Sequence, residues 1–325
     1  MDEQLTASQI DRTENIADSA RDSIRRESEI ANRFWGGVEW RIIMTFLLFA
    51  IAWTGVVVLG IRGRVSLWAA FPLQVALAST FYMPMHESVH GNISGRVMHM
   101  RWLNELVGKL ASVPLLMGHA AHRASHMKHH AFTNEPGRDP DYISRGRITE
   151  IPGKWLGMTL LNSFLPLFAF VPAARRLLPK AFRQAMAAAA GVSRPGRDAK
   201  QMFRQWLLIH AVLGACFAAG FGVPALVLWY LPGRVQMMWL VTVFAWYPHH
   251  PADRIGRYVD TRIARFPGSG LLIRGHDHHA IHHLYPRVAH YRLRRVWSEL
   301  ADDLVAKGVR SQGSAKAATG PVVWS

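Results

Sequence analysis

The chain has 325 residues, half of them hydrophobic and only 18% charged, with a formal net charge of +16 and a mean hydropathy of +0.05. These figures exclude disorder for most of the length, are high in hydropathy for a soluble protein, and leave room for one large domain or two ordinary ones. The single cysteine, Cys216, excludes a disulfide framework, a Cys-based zinc site and a thiolate-ligated iron–sulfur cluster.

Taken in chain order, the first 38 residues are polar with a net charge of −3, and they contain no basic start followed by an apolar stretch. They read as a solvated, partly helical arm and not as a secretory signal. Residues 42–61 are twenty residues without a charge, and a helix of that length rises about 30 Å, the thickness of a bilayer's hydrocarbon core. Arg62 and Arg64 mark a short turn, after which residues 66–85 are again uncharged and long enough to span. The two predict a membrane hairpin. Residues 155–174 are also uncharged but hold Pro166 and Pro172 and follow polar sequence, so lying in the interface or re-entering competes with crossing. Residues 206–247 are broken only by Arg234, enough for a second hairpin with its turn at either 220–224 or 231–234.

Core helices of a large soluble α-protein are the competing explanation, and four uncharged stretches near spanning length argue against it. Lys109, Arg123, Lys128, Arg138, Arg145 and Arg147 fall between the hairpins, and a dense arginine set runs from Arg254 to Arg295 after the second. The positive-inside rule places both regions in the cytoplasm. A membrane disposition of the basic residues also weakens the nucleic-acid reading of a pI near 10.8. The expected fold is therefore an all-α integral membrane protein, with about four transmembrane helices in two hairpins and a cytoplasmic helical cap. Its expected organisation is a polar arm (1–38), a membrane domain (39–300), and a helix end with a flexible tail (301–325) in which residues 322–324 are apolar enough to dock.

Thirteen of the 17 histidines lie in four short segments on the cytoplasmic side of that scheme. They are His86 and His90 in HESVH; His122, His126, His129 and His130 in HRASHMKHH; His249 and His250; and His276, His278, His279, His282 and His283 in HDHHAIHH. Residues three or four apart stand on one side of a helix, so His86 with His90, His126 with His129 and His130, and His279 with His282 and His283 can each converge their imidazoles. Composition alone predicts roughly 0.04 occurrences of H-x-x-H-H, yet there are two. Neutral imidazole suits iron, zinc, copper and nickel. One zinc takes three or four ligands and leaves most of these histidines without a role, whereas nine nitrogens match two metals with four or five each.

The order H-x-x-x-H, H-x-x-H-H, H-x-x-H-H, with HHAFTNEPGRDPDY at 129–142 and HHLYPRV at 282–288, resembles the membrane fatty-acid desaturase and hydroxylase family over residues 40–300. The resemblance implies a non-haem di-iron centre on the cytoplasmic side of a four-helix membrane domain. Its ligands would be His86, His90, His126, His129, His130, His279, His282 and His283, with a ninth from the segment after the last span, where His249 is favoured over His250. His122, His276 and His278 lie beside the boxes, where a supporting or proton-handling role competes with solvation. His99, His119, His210 and His290 read as structural. Asp139, Asp141 and Asp277 could accept the free ring N–H of a ligand, although Asp139 and Asp141 could equally serve the turn GRDPD.

The implied chemistry is O2-dependent removal of hydrogen from a lipid chain, with two electrons from outside. No haem-binding, flavin-binding or Cys-rich segment is present, so the donor would be a separate protein of ferredoxin or cytochrome b5 type, steered by the arginine-rich face. Two substrate classes stay open, because DPDY, PHHPADRIGRYVDTR and HHLYPRV also resemble carotenoid-ring hydroxylases and ketolases of the same superfamily. Two further readings compete. HESVH is also H-E-x-x-H, the zinc motif in which Glu87 would be a protease's general base, but that leaves two H-x-x-H-H boxes without a task. A non-enzymatic metal or haem carrier would instead hold its histidines in low-complexity loops.

Overall fold

The structure is a computed structural model that describes residues 7–164, 168, 171–190 and 195–324. It is mostly helical. Helix α1 (Ala7–Asn32) contains most of the polar arm, and its last turns are not free in solvent, because Glu27 and Ala31 are buried. The Glu27 carboxylate accepts the hydroxyls of Tyr258 and Tyr285 at 3.1 and 2.7 Å and pairs with Lys307. A buried carboxylate is tolerable only with such partners, so they dock the end of the arm on the cap.

Helix α2 (Trp40–Ile61) matches the first uncharged stretch. Met44, Leu48 and Ile51 are exposed by 62, 63 and 72%, the reverse of a soluble core helix, which would bury its apolar side chains. After the turn, the Ser66 hydroxyl accepts the Ala69 N–H and starts α3 (Leu67–Thr80), where Gln74 returns a hydrogen bond to the Trp53 carbonyl at 3.1 Å. Helix α3 runs through Phe81 directly into α4 (Tyr82–Val89). The expected second span is therefore a pair of joined helices, neither long enough alone to count as a span.

Helix α5 (Trp102–Leu115) packs along α4, with Gly108 at the contact: a Cβ there would sit 2.3 Å from both His119 Nε2 and Ser88 Oγ. Helix α6 (His119–Phe132) follows, then α7 (Ile151–Ser163). The ambiguous stretch at 155–174 begins in α7, but 165–167 and 169–170 lie outside the described residues. Beyond α8 (Lys180–Ala190) come α9 (Pro195–Ala218) and α10 (Gly222–His249). The turn between them falls at Gly220, with φ +82°, the left-handed conformation that glycine adopts without penalty. The alternative turn at 231–234 lies inside α10, where Pro232, Gly233 and Arg234 are buried. Leu228 of α10 rests on Gly60 of α2, where an added Cβ would approach to 2.8 Å.

Among the described residues, α2 and α10 are the helices long and apolar enough to cross a membrane, and the apolar part of α9, Met202–Ala218, is shorter.

The expectation of an all-α fold needs one correction. Strand β1 (Arg262–Arg265) pairs in parallel with β2 (Arg310–Gly313), in the register Arg262↔Arg310. Between them lie α11 (His279–Leu284) and the amphipathic α12 (Leu293–Ala306), which buries Leu293, Val296, Trp297, Leu300 and Leu304. The strand pair also corrects the expected flexible tail. The buried Arg262 guanidinium donates to Gln312 Oε1 at 2.9 Å and to the Val323 carbonyl at 3.1 Å. The Trp324 ring lies 5.0 Å from Tyr247 and 5.5 Å from Phe266. A buried guanidinium holds whatever satisfies its fork of donors, and here those acceptors are the Tyr247 carbonyl and the tail.

Candidate metal centre

Four elements bring their histidines to one place. His86 lies in the last turn of α4 and His90 caps it; α6 presents His126, His129 and His130; His249 ends α10; α11 presents His279, His282 and His283. On α6 and α11 the three- and four-residue spacing places the rings on one helix face.

The rings form two groups. In the first, His86 Nε2 lies 3.1 Å from His282 Nε2, and His90 Nε2 lies 2.9 Å from His126 Nε2. His130 Nε2 stands 3.0 Å from both His126 Nε2 and His282 Nε2. In the second, His249 Nε2 lies 3.2 Å from His129 Nε2 and 2.9 Å from His279 Nε2. His283 completes this group, its nitrogen and one from each of the other three all lying within 4.8 Å of one another. The His283 ring stacks on His130 at 4.2 Å and so joins the two groups.

The donor set fits metal ions. Ligand nitrogens about 2.1 Å from a metal are about 3.4 Å apart in a tetrahedron and about 3.0 Å apart at right angles. The closest separations of 2.9 to 3.2 Å are of the size that nitrogens sharing one cation adopt. Burial, together with the repulsion of neighbouring rings, holds His90, His126, His130, His279, His282 and His283 well below the ordinary histidine range. Neutral imidazole is the ligating form. The outer nitrogens Nδ1 of His86, His249 and His279 have no hydrogen-bond partner.

His129 differs from the others. Burial pulls its pKa down, but the charge and hydrogen bond of Asp139 raise it to about 9. The contact is His129 Nδ1 to Asp139 Oδ1 at 2.8 Å, on the opposite side of the ring from the cluster. Such a carboxylate fixes the tautomer that leaves Nε2 free to bind a cation. Asp139 also accepts the backbone N–H groups of Asn134 and Asp141, each at 2.8 Å, so its turn role and its histidine role coexist.

The remaining sequence candidates fall around the cluster. Asp141 Oδ2 is 3.8 Å from His129 Nδ1. Asp277 meets none of the nine clustered histidines. It accepts from Ser269 Oγ at 2.7 Å, with His278 Nδ1 3.0 Å away. His122 stacks on His126 at 5.4 Å without joining the group. His276 is buried 4.9 Å from the His86 ring and 4.8 Å from that of His279, with neither of its nitrogens hydrogen-bonded. His250 packs on Trp246 at 4.6 Å, away from His249's group. Of the four read as structural, His119 packs under Gly108 with Nε2 2.9 Å from Ser88 Oγ, His210 Nδ1 donates to the Trp206 carbonyl within α9 at 2.8 Å while its Nε2 stands 3.4 Å from the Tyr230 hydroxyl of α10, and His99 lies in a short turn.

Three supporting groups are not evident from spacing. Thr133 Oγ1 stands 3.2 Å from His283 Nδ1. Glu87 is fully buried with Oε1 3.6 Å from His86 Nδ1 and 3.4 Å from His290 Nδ1, and Asn92 donates to its other oxygen at 2.9 Å. Glu87 therefore faces the outer edge of the His86 ring, whereas a zinc protease's base must face the metal side. The only sequence signal for this role was a buried-type acid beside a histidine.

A cavity of about 290 Å³ lies in the helical bundle beside the cluster, and none of the nine clustered histidines lines it. Its walls include Leu115, Met117, Met158, Met237 and Phe244, and it ends at Tyr82 and His122. The Tyr82 ring is 5.7 Å from that of His86.

Comparison with known proteins shows a family. A family described as "Fatty acid desaturase" matches residues 63–313. Relatives include the "probable fatty acid desaturase DES1" of Sorghum bicolor, 26% identical over 259 residues, covering 70% of this chain and 62% of the relative. The "sn-1 acyl-lipid omega-3 desaturase (ferredoxin)" of Synechocystis is 26% identical over 247 residues, 70% of this chain and 66% of the relative. The chloroplastic "sn-2 acyl-lipid omega-3 desaturase (ferredoxin)" of Helianthus annuus is 24% identical over 287 residues, 81% and 62%. The chain thus spans less than two thirds of the length of these relatives.

Proposed function

Because the chain belongs to the fatty acid desaturase family, we propose that it is a membrane-bound oxidoreductase that introduces a double bond into a lipid acyl chain, with O2 as oxidant. The observation that carries this reading is the pair of histidine groups, nine imidazoles in all, beside a largely apolar cavity that ends at Tyr82 and His122. Iron is the metal the family reading favours for both groups. His86, His90, His126, His130 and His282 would hold one ion, and His129, His249, His279 and His283 the other.

The chemistry that bound iron supplies is the activation of O2 needed to break an unactivated C–H bond, which no side chain can do. The protein's residues position and protect. Asp139 and Thr133 orient the rings of His129 and His283, and the buried Glu87 carboxylate stands 3.6 Å from that of His86. The apolar cavity excludes water and lays an acyl chain against Tyr82, within reach of the first group. The two electrons of each turnover would come from a separate ferredoxin-type protein, in keeping with the names of two of the relatives. All three relatives are named as acting on fatty or acyl-lipid substrates, which favours an acyl chain over a carotenoid ring.

In the same reading the chain crosses the membrane in two hairpins: α2 with α3 and α4, and α9 with α10. The histidine groups and the arginine-rich cap lie on the cytoplasmic side, in keeping with the positive-inside rule. The test is expression in a carotenoid-free host together with a ferredoxin, followed by fatty-acid profiling. New unsaturation that disappears with His282→Ala is expected, and an unchanged profile contradicts the proposal.

A further inference from the structure

A second cavity of about 460 Å³ lies between the start of α2 and the segment joining β1 to α12. One of its walls is apolar: Ile42, Thr45 and Phe49 line it at a helical spacing down one face of α2. The other end is basic, with Arg41, Arg265, Arg274 and Arg294 all lining the space. Beside the mouth Leu271 is 83% exposed, a position that suits insertion into a lipid interface.

These cations have few anions of their own. Arg41 lies over the Tyr291 ring at 4.6 Å, and among the described residues neither Arg41 nor Arg294 pairs with a carboxylate. Arg274 donates to the Ser79 carbonyl at 2.8 Å, a neutral acceptor. Arg265 Nε stands 3.5 Å from Asp277 Oδ2, but that oxygen already accepts from Ser269 and the other faces His278. Four guanidiniums thus face one carboxylate that is already engaged. Arg265 and Arg274 are half-buried while Arg41 and Arg294 are exposed at the rim; an added anion stabilises the half-buried pair, and guanidinium matches the oxygens of a phosphate in pairs.

We propose that this cavity binds the phosphate headgroup of an anionic glycerophospholipid, with one acyl chain lying along Ile42, Thr45 and Phe49. None of the nine clustered histidines lines the cavity, although His290, which faces Glu87, does, and the proposal rests on the membrane placement of α2 given above. Basic pockets beside transmembrane helices at the cytoplasmic surface have the chemistry for such headgroups. The headgroup sits at the level of Arg41, in the first turn of α2, and the chain descends with the helix.

The test measures binding to the purified, metal-loaded full-length protein in neutral detergent, with dioctanoyl phosphatidylglycerol, dioctanoylglycerol and inorganic phosphate as separate probes. Tightest binding is expected for the phosphatidylglycerol. The double variant Arg41→Gln/Arg294→Gln should weaken it at least tenfold, and Thr45→Trp, which leaves the charge unchanged and narrows the chain groove, should weaken it as well. Equal affinity for dioctanoylglycerol, or unchanged binding in both variants, overturns the proposal. Inorganic phosphate binding as tightly as the phospholipid also overturns it, because the site would then be a free-phosphate site. Metal content read on the same samples separates the two readings: failed lipid binding with iron retained sinks this proposal alone, and absent iron sinks the desaturase reading alone.

Discussion

His86 Nε2 and His282 Nε2, 196 residues apart in the chain, lie 3.1 Å from one another. Two buried neutral imidazoles gain at most one hydrogen bond from that approach, whereas a shared cation would use both lone pairs. The close approach repeats around both groups, which makes metal loading the property most sensitive to single substitutions.

His90→Ala should lower metal content from two ions per chain toward one, because it removes a nitrogen from the first group and leaves the second intact. His249→Ala should have a comparable effect on the second group. His250→Ala should retain both ions, since that ring packs on Trp246 and not in the cluster. Elemental analysis of the three purified variants checks this, and equal loss in His250→Ala would reverse the assignment.

Asp139→Asn should lower metal affinity about 10- to 100-fold, the usual effect of removing a carboxylate behind a ligating histidine. Competition with a chelator measures it. Part of the loss will reflect the turn, because Asp139 also accepts the N–H groups of Asn134 and Asp141.

Much of this centre was legible in the sequence because helical spacing constrains where rings point. The boxes on α6 and α11 place three imidazoles each on one face, and those are the faces the structure brings together. His249 could be separated from His250 only weakly, because the choice depends on how the end of α10 enters the cap. The contacts of Asp139, Thr133 and Glu87 depend on loop paths that no periodicity encodes. For the fold, the uncharged stretch at 42–61 translated directly into α2. The second stretch became two helices meeting at Phe81, and the tail's pairing with β1 depends on Arg262, a charge whose burial composition does not reveal.

Glu87→Gln should keep both metal ions and part of the activity, since the side chain touches the outer edge of His86 and not the face toward the cluster. Metal analysis and product profiling together check this. Total loss of activity with metal retained would mean that Glu87 acts directly on substrate.

Arg262→Leu should destabilise the protein by about 1–3 kcal/mol for each buried acceptor left without a partner, those being the carbonyls of Tyr247 and Val323 and the Gln312 amide. Because Tyr247 lies two residues before His249, the variant should also release metal sooner on heating. A thermal scan that follows unfolding and metal release together distinguishes this from loss of the tail alone.

Gly108→Val should lower the melting temperature without altering the ligand set, since even a Cβ at this position would lie 2.3 Å from His119 Nε2 and Ser88 Oγ. Overpacking of this kind costs about 1–3 kcal/mol. A normal melting temperature in this variant would show that α4 and α5 are less closely packed than described.

The most direct test of the whole account is elemental analysis of the purified wild-type protein. Two irons per chain is the result expected from nine imidazoles in two groups. One zinc per chain, with no iron, would contradict it.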